Sequence, residues 1–294
     1  MKSKSITIAE SAYPYLLRQI YDPPKSFNLL GELPDFGKNP PVAIVGSRKP
    51  TEYGRENAEK LASVLASAGF TIISGLAYGI DSIAHKACLE NKGLTVAVLG
   101  SGFDNIYPKT HKKLAEKIIE TGGAVITEFD DDMAPLARNF PVRNRIISGL
   151  SLGVVVVEAA VDSGTLITAK LAMEHGRDVF AVPGLVGNVN SAGTHSLIRD
   201  GATLIESAQD VIDALSNKLS TEWKTKFSGQ SFGIGDKERA FIRFFGSEAV
   251  TKDELIEKSG LKPQEVLSMI SVLECSELIR DADGKGYIRI KTHD

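Results

Sequence analysis

Cysteine is scarce in this sequence. Its 294 residues hold two, Cys88 and Cys275, which fall in predicted helices of different domains. That argues against a disulfide framework and for free thiols in a reducing compartment, so a cytoplasmic protein is expected. There is no run of about 18 apolar residues, so no membrane span is expected. The first residues, MKSKSITIAESAYPYLL, lack the apolar core of a secretory signal. Positive charge is not in excess: net charge is −3 at pH 7. A polyanion therefore finds no attractive field around the molecule as a whole and needs a local basic patch. Also missing are a GxGxxG fingerprint, a P-loop, zinc-ligand spacing, a Ser-His-Asp order and a cysteine–histidine pair. These absences argue against a dinucleotide or ATP site of the ordinary kind, and no metal, cofactor or catalytic residue is assigned.

What is present is ordinary globular material, 43% apolar and 24% charged, enough for one large core and a small second domain. Met1–Pro41 reads as a lead-in with a short helix over Tyr13–Tyr21. From Val42 to Leu215 strands and helices alternate. Strands read at Val42–Val45, Phe70–Ser74, Thr95–Leu99, Ala124–Thr127, Gly153–Glu158, Asp178–Val182 and, more weakly, Thr203–Ile205. Helices read at Glu52–Ala68, Ile80–Glu90, Lys109–Thr121, Arg143–Leu150, Thr165–His175 and Ala208–Leu215. The strands are short continuous apolar runs, the pattern of a parallel sheet covered on both faces. Right-handed crossovers make this an α/β, doubly wound, mostly parallel sheet, with ligands outside the carboxyl ends of its strands. Ser216–Asp236 reads as a linker whose Trp223 docks on a domain. Lys237–Asp294 reads as a winged helix: helices at Lys237–Phe245, Thr251–Lys258 and Pro263–Cys275, then a hairpin across Asp283–Gly286. Its third helix has no Lys or Arg and carries Glu265 and Glu274. A protein-contact or structural role is favoured over groove binding.

Candidate chemistry gathers at the turns. After the first strand, Gly46, Ser47 and Arg48 open a helix, where backbone N–H groups are expected to stay unpaired and to grip phosphate together with the arginine. After the second strand, Asp81 and His85 share a helix face; a capping aspartate and a satisfied histidine outweigh a metal pair, which would be two ligands short. Lys109 opens a helix where a cation is ill placed unless an anion joins it, though a solvated lysine is nearly as good a reading. Phe140, Arg143 and Arg145, with Arg138 beside them, suit single-stranded nucleic acid: arginines on phosphates, an aromatic face under a base. The alternatives are Phe140 in the core and one arginine pairing with Glu128 or Asp132. Ser163-Gly164-Thr165 reads as an anion cradle or a simple cap, with Lys170 further along its helix. Glu158 sits where a catalytic carboxylate could lie, or pairs with an arginine.

Several long stretches together carry a resemblance: AIVGSRKPTEYG (Ala43–Gly54), SGLAYGIDSIAH (Ser74–His85), AVLGSGFDNIYP (Ala97–Pro108), FPVRNRIISGLS (Phe140–Ser151), VVEAAVDSGTLITA (Val156–Ala169) and FAVPG (Phe180–Gly184). They are similar to the DNA-processing protein A family (DprA, also called Smf). The resemblance implies an extended Rossmann-like domain that binds single-stranded DNA, forms a homodimer, protects incoming strands in natural transformation and loads the RecA recombinase. It implies no enzyme activity. Carried over by position, Arg48, Lys109, Arg143, Arg145 and Phe140 are DNA contacts, and Leu197 and Ile198 fall at the dimer contact. Two departures stand out: His195 replaces a usual asparagine, and Asp130–Asp132 are more acidic than a DNA groove suggests. The alternative is a nucleotide-binding enzyme of the phosphoribohydrolase type with Glu158 at its centre. That family's PGGxGT motif is absent here; the corresponding stretch reads DSGTLITA.

Overall fold

The computed structural model describes residues 3–227, 240–246, 248–275, 278–282 and 285–290. The chain divides into two units, residues 1–228 and 229–294.

The large unit is built on nine strands: β1 (Lys4–Thr7), β2 (Ser26–Gly31), β3 (Pro41–Val45), β4 (Thr71–Ser74), β5 (Thr95–Val98), β6 (Ala124–Thr127), β7 (Gly153–Val156), β8 (Asp178–Ala181) and β9 (Thr203–Leu204). Their order is β1-β2-β6-β5-β4-β3-β7-β8-β9. From β6 to β9 every pairing is parallel. The order reverses between β3 and β7, where Ala43 lies opposite Val154 and Val45 opposite Val156. A doubly wound sheet opens a crevice at such a reversal. The central strands β3 to β7 are buried at every position, which is why their sequences run apolar without alternation.

Helices cover both faces. One layer holds α2 (Glu52–Ser67), α3 (Ile80–Glu90), α4 (Lys112–Glu120) and α8 (Ala208–Leu215); the other holds α1 (Tyr15–Arg18), α5 (Asn139–Leu150) and α6 (Gly164–Glu174). A further helix, α7 (Val189–Arg199), packs against β8. The expectations missed it because Asn, Ser, Gly and Thr in VNSAGTHSLIR are weak helix formers; burial of Leu197 and Thr194 decides instead.

The lead-in, read as carrying one short helix, also supplies two strands. β1 and β2 form an antiparallel edge on β6, and Phe27, Leu29, Tyr13 and Leu17 sit in the main core. The expected helix over Tyr13–Tyr21 shrinks to Tyr15–Arg18. The expected linker starts with a 3-10 turn and a helix, α9 (Thr221–Phe227). Trp223 docks as expected: it meets Phe70 edge-on at 5.3 Å and its indole N–H donates to the Ala68 carbonyl at 2.9 Å.

In the small unit the structure describes α10 (Lys252–Ser259), capped by Thr251 and Glu254, and α11 (Pro263–Cys275). An antiparallel pair follows, β10 (Ile279–Asp281) with β11 (Tyr287–Arg289). Phe241, Leu255, Val266, Leu273 and Tyr287 form its own core. The expected helix over Lys237–Phe245 lies partly outside the described residues, as does the centre of the hairpin turn. Among the described residues no helix is long and apolar enough to cross a membrane.

Candidate nucleic-acid interface

The crevice at the β3/β7 reversal holds an open cavity of about 840 Å³. Its walls come from the turn after β3 (Gly46–Lys49), the loop before α6 (Ala160–Thr165), and the start of α5, with Tyr107 at the rim. Two of these connections follow the strands at the reversal, β3 and β7, and the α5 start reaches across from β6.

The protein itself takes up part of the hydrogen bonding at these turns. In the first, the Ser47 N–H donates to the Glu158 carbonyl at 2.7 Å, and the Lys49 N–H donates to the Ser47 hydroxyl at 3.1 Å. The Thr51 N–H and hydroxyl both donate to the Glu158 carboxylate, and Thr51 in turn caps α2 by accepting from the Gly54 N–H. The α2 terminus, which favours an anion, already has one from the protein itself. This corrects two expectations: the Ser47 N–H of the Gly46–Arg48 turn is not left unpaired, and Glu158, 1% exposed, makes no ion pair with an arginine among the described residues and does not face the crevice as a free acid. The turn after β4 repeats the device, since Asp81 accepts from the Gly75 and Ala77 N–H groups at 3.1 and 3.4 Å. The two turns also touch: a Cβ on Gly79 would collide with the Ser47 and Arg48 backbone, so only glycine fits there. At α6 the Ser163 hydroxyl caps the Thr165 N–H, and the Thr165 hydroxyl donates to the Gly46 carbonyl. Gly164 is exposed at the cavity wall.

The arginines of α5 separate. Arg143 is 4% exposed. Its guanidinium donates to the carbonyls of Gly75 and Val98, pinning the ends of β4 and β5, and to the Asn144 side-chain oxygen. Burial pulls it down to about 10, with Asp81 opposing that fall. Burial likewise raises Asp81, with Arg143 opposing. Arg143 therefore serves the scaffold, against the expectation of an open phosphate contact, although part of it still lines the cavity. Arg145 turns away altogether. It forks onto Glu128 at 2.7 Å through two nitrogens and reaches Asp22 at 3.1 Å. It lines a separate small cavity with Lys25 and Ser26. Of the alternatives, pairing with Glu128 holds for Arg145 and pairing with Asp132 for neither.

Phe140 settles between its two readings. It stands in the first turn of α5, which starts earlier than expected, and is half-buried outside the core clusters. It packs over Gly100 and meets Tyr107 edge-on at 5.9 Å. The guanidinium carbons of Arg48 and Arg143 lie 5.6 and 5.8 Å from its ring centre, within cation–π range. Arg48 and Lys49 are exposed and, among the described residues, make no ion pair. Lys109 begins a 3-10 turn before α4 and is exposed; Lys170 is exposed on α6; neither borders the cavity. Sequence reasoning passed over Tyr107 and Lys49, which line the cavity, although Tyr107 is an aromatic inside a turn it had already marked.

Other expected residues fall elsewhere. Leu197 is 5% exposed and belongs to the main core, so it offers no surface; Ile198 is partly buried against that core. His85 is fully buried. Its Nδ1 meets the Thr95 hydroxyl at 2.7 Å, and that hydroxyl donates to the Ile72 carbonyl. Nδ1 therefore carries the proton and Nε2 has no partner, which corrects the expected satisfied histidine. Burial, with His111 and Arg143 nearby, pushes His85 down to about 3. The acidic stretch docks its backbone on the turn after β5: the Gly102 N–H donates to the Met133 carbonyl, and a Cβ on Gly102 would strike Asp130 and Asp131. Its carboxylates stay exposed.

Fold and site define a doubly wound α/β protein with a crevice lined by cations and aromatics at the sheet reversal. The sequence profile of the DNA recombination-mediator protein A family matches residues 4–216. The chain belongs to that family. It is 41% identical over 285 residues to protein Smf of Escherichia coli strain K12, covering 95% of this chain and 75% of that protein. It is similar to the crystal structure of DNA processing protein A from Streptococcus pneumoniae (45% identity, TM-score 0.68, 72% of this chain and 74% of that one). It is also similar to DNA processing protein A from Helicobacter pylori, whose structure concerns a single-stranded DNA binding mode (30% identity, TM-score 0.66, 74% and 98% covered).

Proposed function

We propose that this protein binds single-stranded DNA in the crevice, without catalysis, and that it protects incoming strands in natural transformation and passes them to RecA as a cytoplasmic homodimer. The observation that carries the binding step is the group Arg48, Phe140 and Tyr107: an exposed cation with no ion pair among the described residues beside a half-buried ring in an open cavity. Cations hold phosphates and rings stack bases, a combination indifferent to sequence. The single-stranded DNA mode of the Helicobacter pylori relative supports the same reading. Lys109 and Lys170 add charge outside the cavity, and Gly46, Ser47, Ser163 and Gly164 shape its wall. RecA transfer and dimerisation rest on the family alone. The small unit is read as a winged helix that contacts protein. A phosphoribohydrolase reading loses its acid, because both Glu158 oxygens are engaged by Thr51.

The test is a titration of fluorescent single- and double-stranded oligonucleotides of one sequence across a salt series. Single strands are expected to bind preferentially, with affinity falling as salt rises. Duplex preference, affinity that ignores salt, or no binding at low salt overturns the proposal.

A further inference from the structure

The connection from β5 to α4 runs past three different neighbours. At its start, the Asp104 N–H and the Asn105 side-chain amide donate to the backbone carbonyls of the exposed acids Asp131 and Asp132. In its middle, Tyr107 touches Phe140. At its end, Thr110 and His111 meet Tyr78: the Thr110 hydroxyl donates to the Tyr78 oxygen at 3.3 Å, and the His111 ring stands edge-on to the Tyr78 ring at 5.1 Å. His111 is itself fixed, its Nδ1 lying 2.8 Å from the Leu76 carbonyl. A strand held at Phe140 thus has two ways out along this connection. One leads to three carboxylates. The other leads to an aromatic ring and the exposed lysines Lys109, Lys112 and Lys113, which make no ion pair among the described residues.

Tyr78 is placed for contact rather than for packing. It is 45% exposed, between Ala77, which lines the cavity, and Gly79, which lies against the Ser47–Arg48 backbone. An exposed ring held by two neighbours meets a ligand with little further loss of freedom. Repulsion from Asp130–Asp132 on one side and attraction to the lysines on the other set the direction.

We propose that Tyr78 is a second base-stacking platform and that Tyr78, Lys112 and Lys113 form a subsite for nucleotides of a single strand beyond the one at Phe140. This rests on the reading of the crevice as a single-stranded DNA site. Stacking on Tyr78 needs its ring and not its hydroxyl, and Lys112 and Lys113 meet phosphates one by one.

The experiment compares oligothymidylates of about 4 and about 12 nucleotides, both within the range of ordinary single-strand sites. Tyr78→Ala is expected to weaken the longer strand about tenfold and to leave the shorter one unchanged. Tyr78→Phe is expected to bind both as the unaltered chain does. Lys112→Gln is expected to lower the salt slope of the longer strand by about 0.7. Photocrosslinking of 5-iodouracil-containing 12-mers to the unaltered chain is expected to mark Tyr78, a readout independent of how any variant folds. If Tyr78→Ala binds both lengths normally and no adduct forms at Tyr78 while Phe140→Ala loses binding, the subsite is wrong and the crevice reading stands. Equal loss at both lengths also removes the separate subsite. If the unaltered chain binds neither oligonucleotide, both readings fall together.

Discussion

The carboxyl edge of the sheet carries two sets of charges. The inner set, Asp81, Arg143 and Glu158, is buried and hydrogen-bonded to the protein's own backbone or to Thr51. The outer set, Arg48, Lys49, Lys109 and Lys170, is exposed and, among the described residues, free of ion pairs. The inner set builds: it closes the turns, caps α2 and ties β4 to β5. The outer set is what a polyanion meets. A buried charge must be matched where it stands, because desolvation is costly; an exposed one is free for a partner. Positive charge near an anion-friendly turn is therefore no measure of binding until burial has been assigned.

The sharpest break is made at Arg143. Arg143→Ala leaves Asp81 buried without its counter-charge and frees two carbonyls, so unfolding free energy is expected to fall by about 3–5 kcal/mol. Denaturant titration measures it. Adding Asp81→Asn should return part of the loss, since the two charges act on each other; a strictly additive double variant would count against that electrostatic coupling.

Acid probes the interior next. His85 stays neutral down to about 3 in the folded protein but titrates near 6.5 when unfolded. Its contribution is fully present above the unfolded value and is lost as pH falls toward the folded one. By about pH 5 the loss reaches about 2 kcal/mol. His85→Gln should flatten that limb of the stability–pH curve. An unchanged limb means that other groups govern acid unfolding.

On the outer set the effect moves from folding to binding. Arg48→Ala should weaken single-stranded DNA about tenfold for all sequences alike and lower the salt slope by about 0.7, with stability within about 0.5 kcal/mol of the parent. Loss confined to one sequence would indicate base readout instead.

The smallest effect sharpens the contrast within α5. Arg145→Ala breaks the forked contact with Glu128 and the bond to Asp22. It should cost about 1 kcal/mol of stability and leave DNA affinity alone. An affinity loss matching that of Arg48→Ala would place Arg145 in the interface after all.

Strands β3 to β9 and their parallel arrangement were legible in the sequence, because continuous apolar runs and glycine-marked turns are local patterns with one economical arrangement. The same local reading singled out Phe140 and Arg48, which both line the crevice. It could not sort Arg143 from Arg145, two residues apart on one helix, because which face meets Gly75 and Val98 and which meets Glu128 depends on strands far away in the chain. Nor could it show that β1 and β2 extend the sheet, since β2 pairs with β6, nearly a hundred residues on. Segment type followed from local pattern for β3 to β9 and the helices between them, but not for β1, β2 or α7. Whether a charge is matched inside the protein or left for a ligand was decided only when the chain closed around it, because burial and hydrogen-bond partners arise from contacts between distant residues.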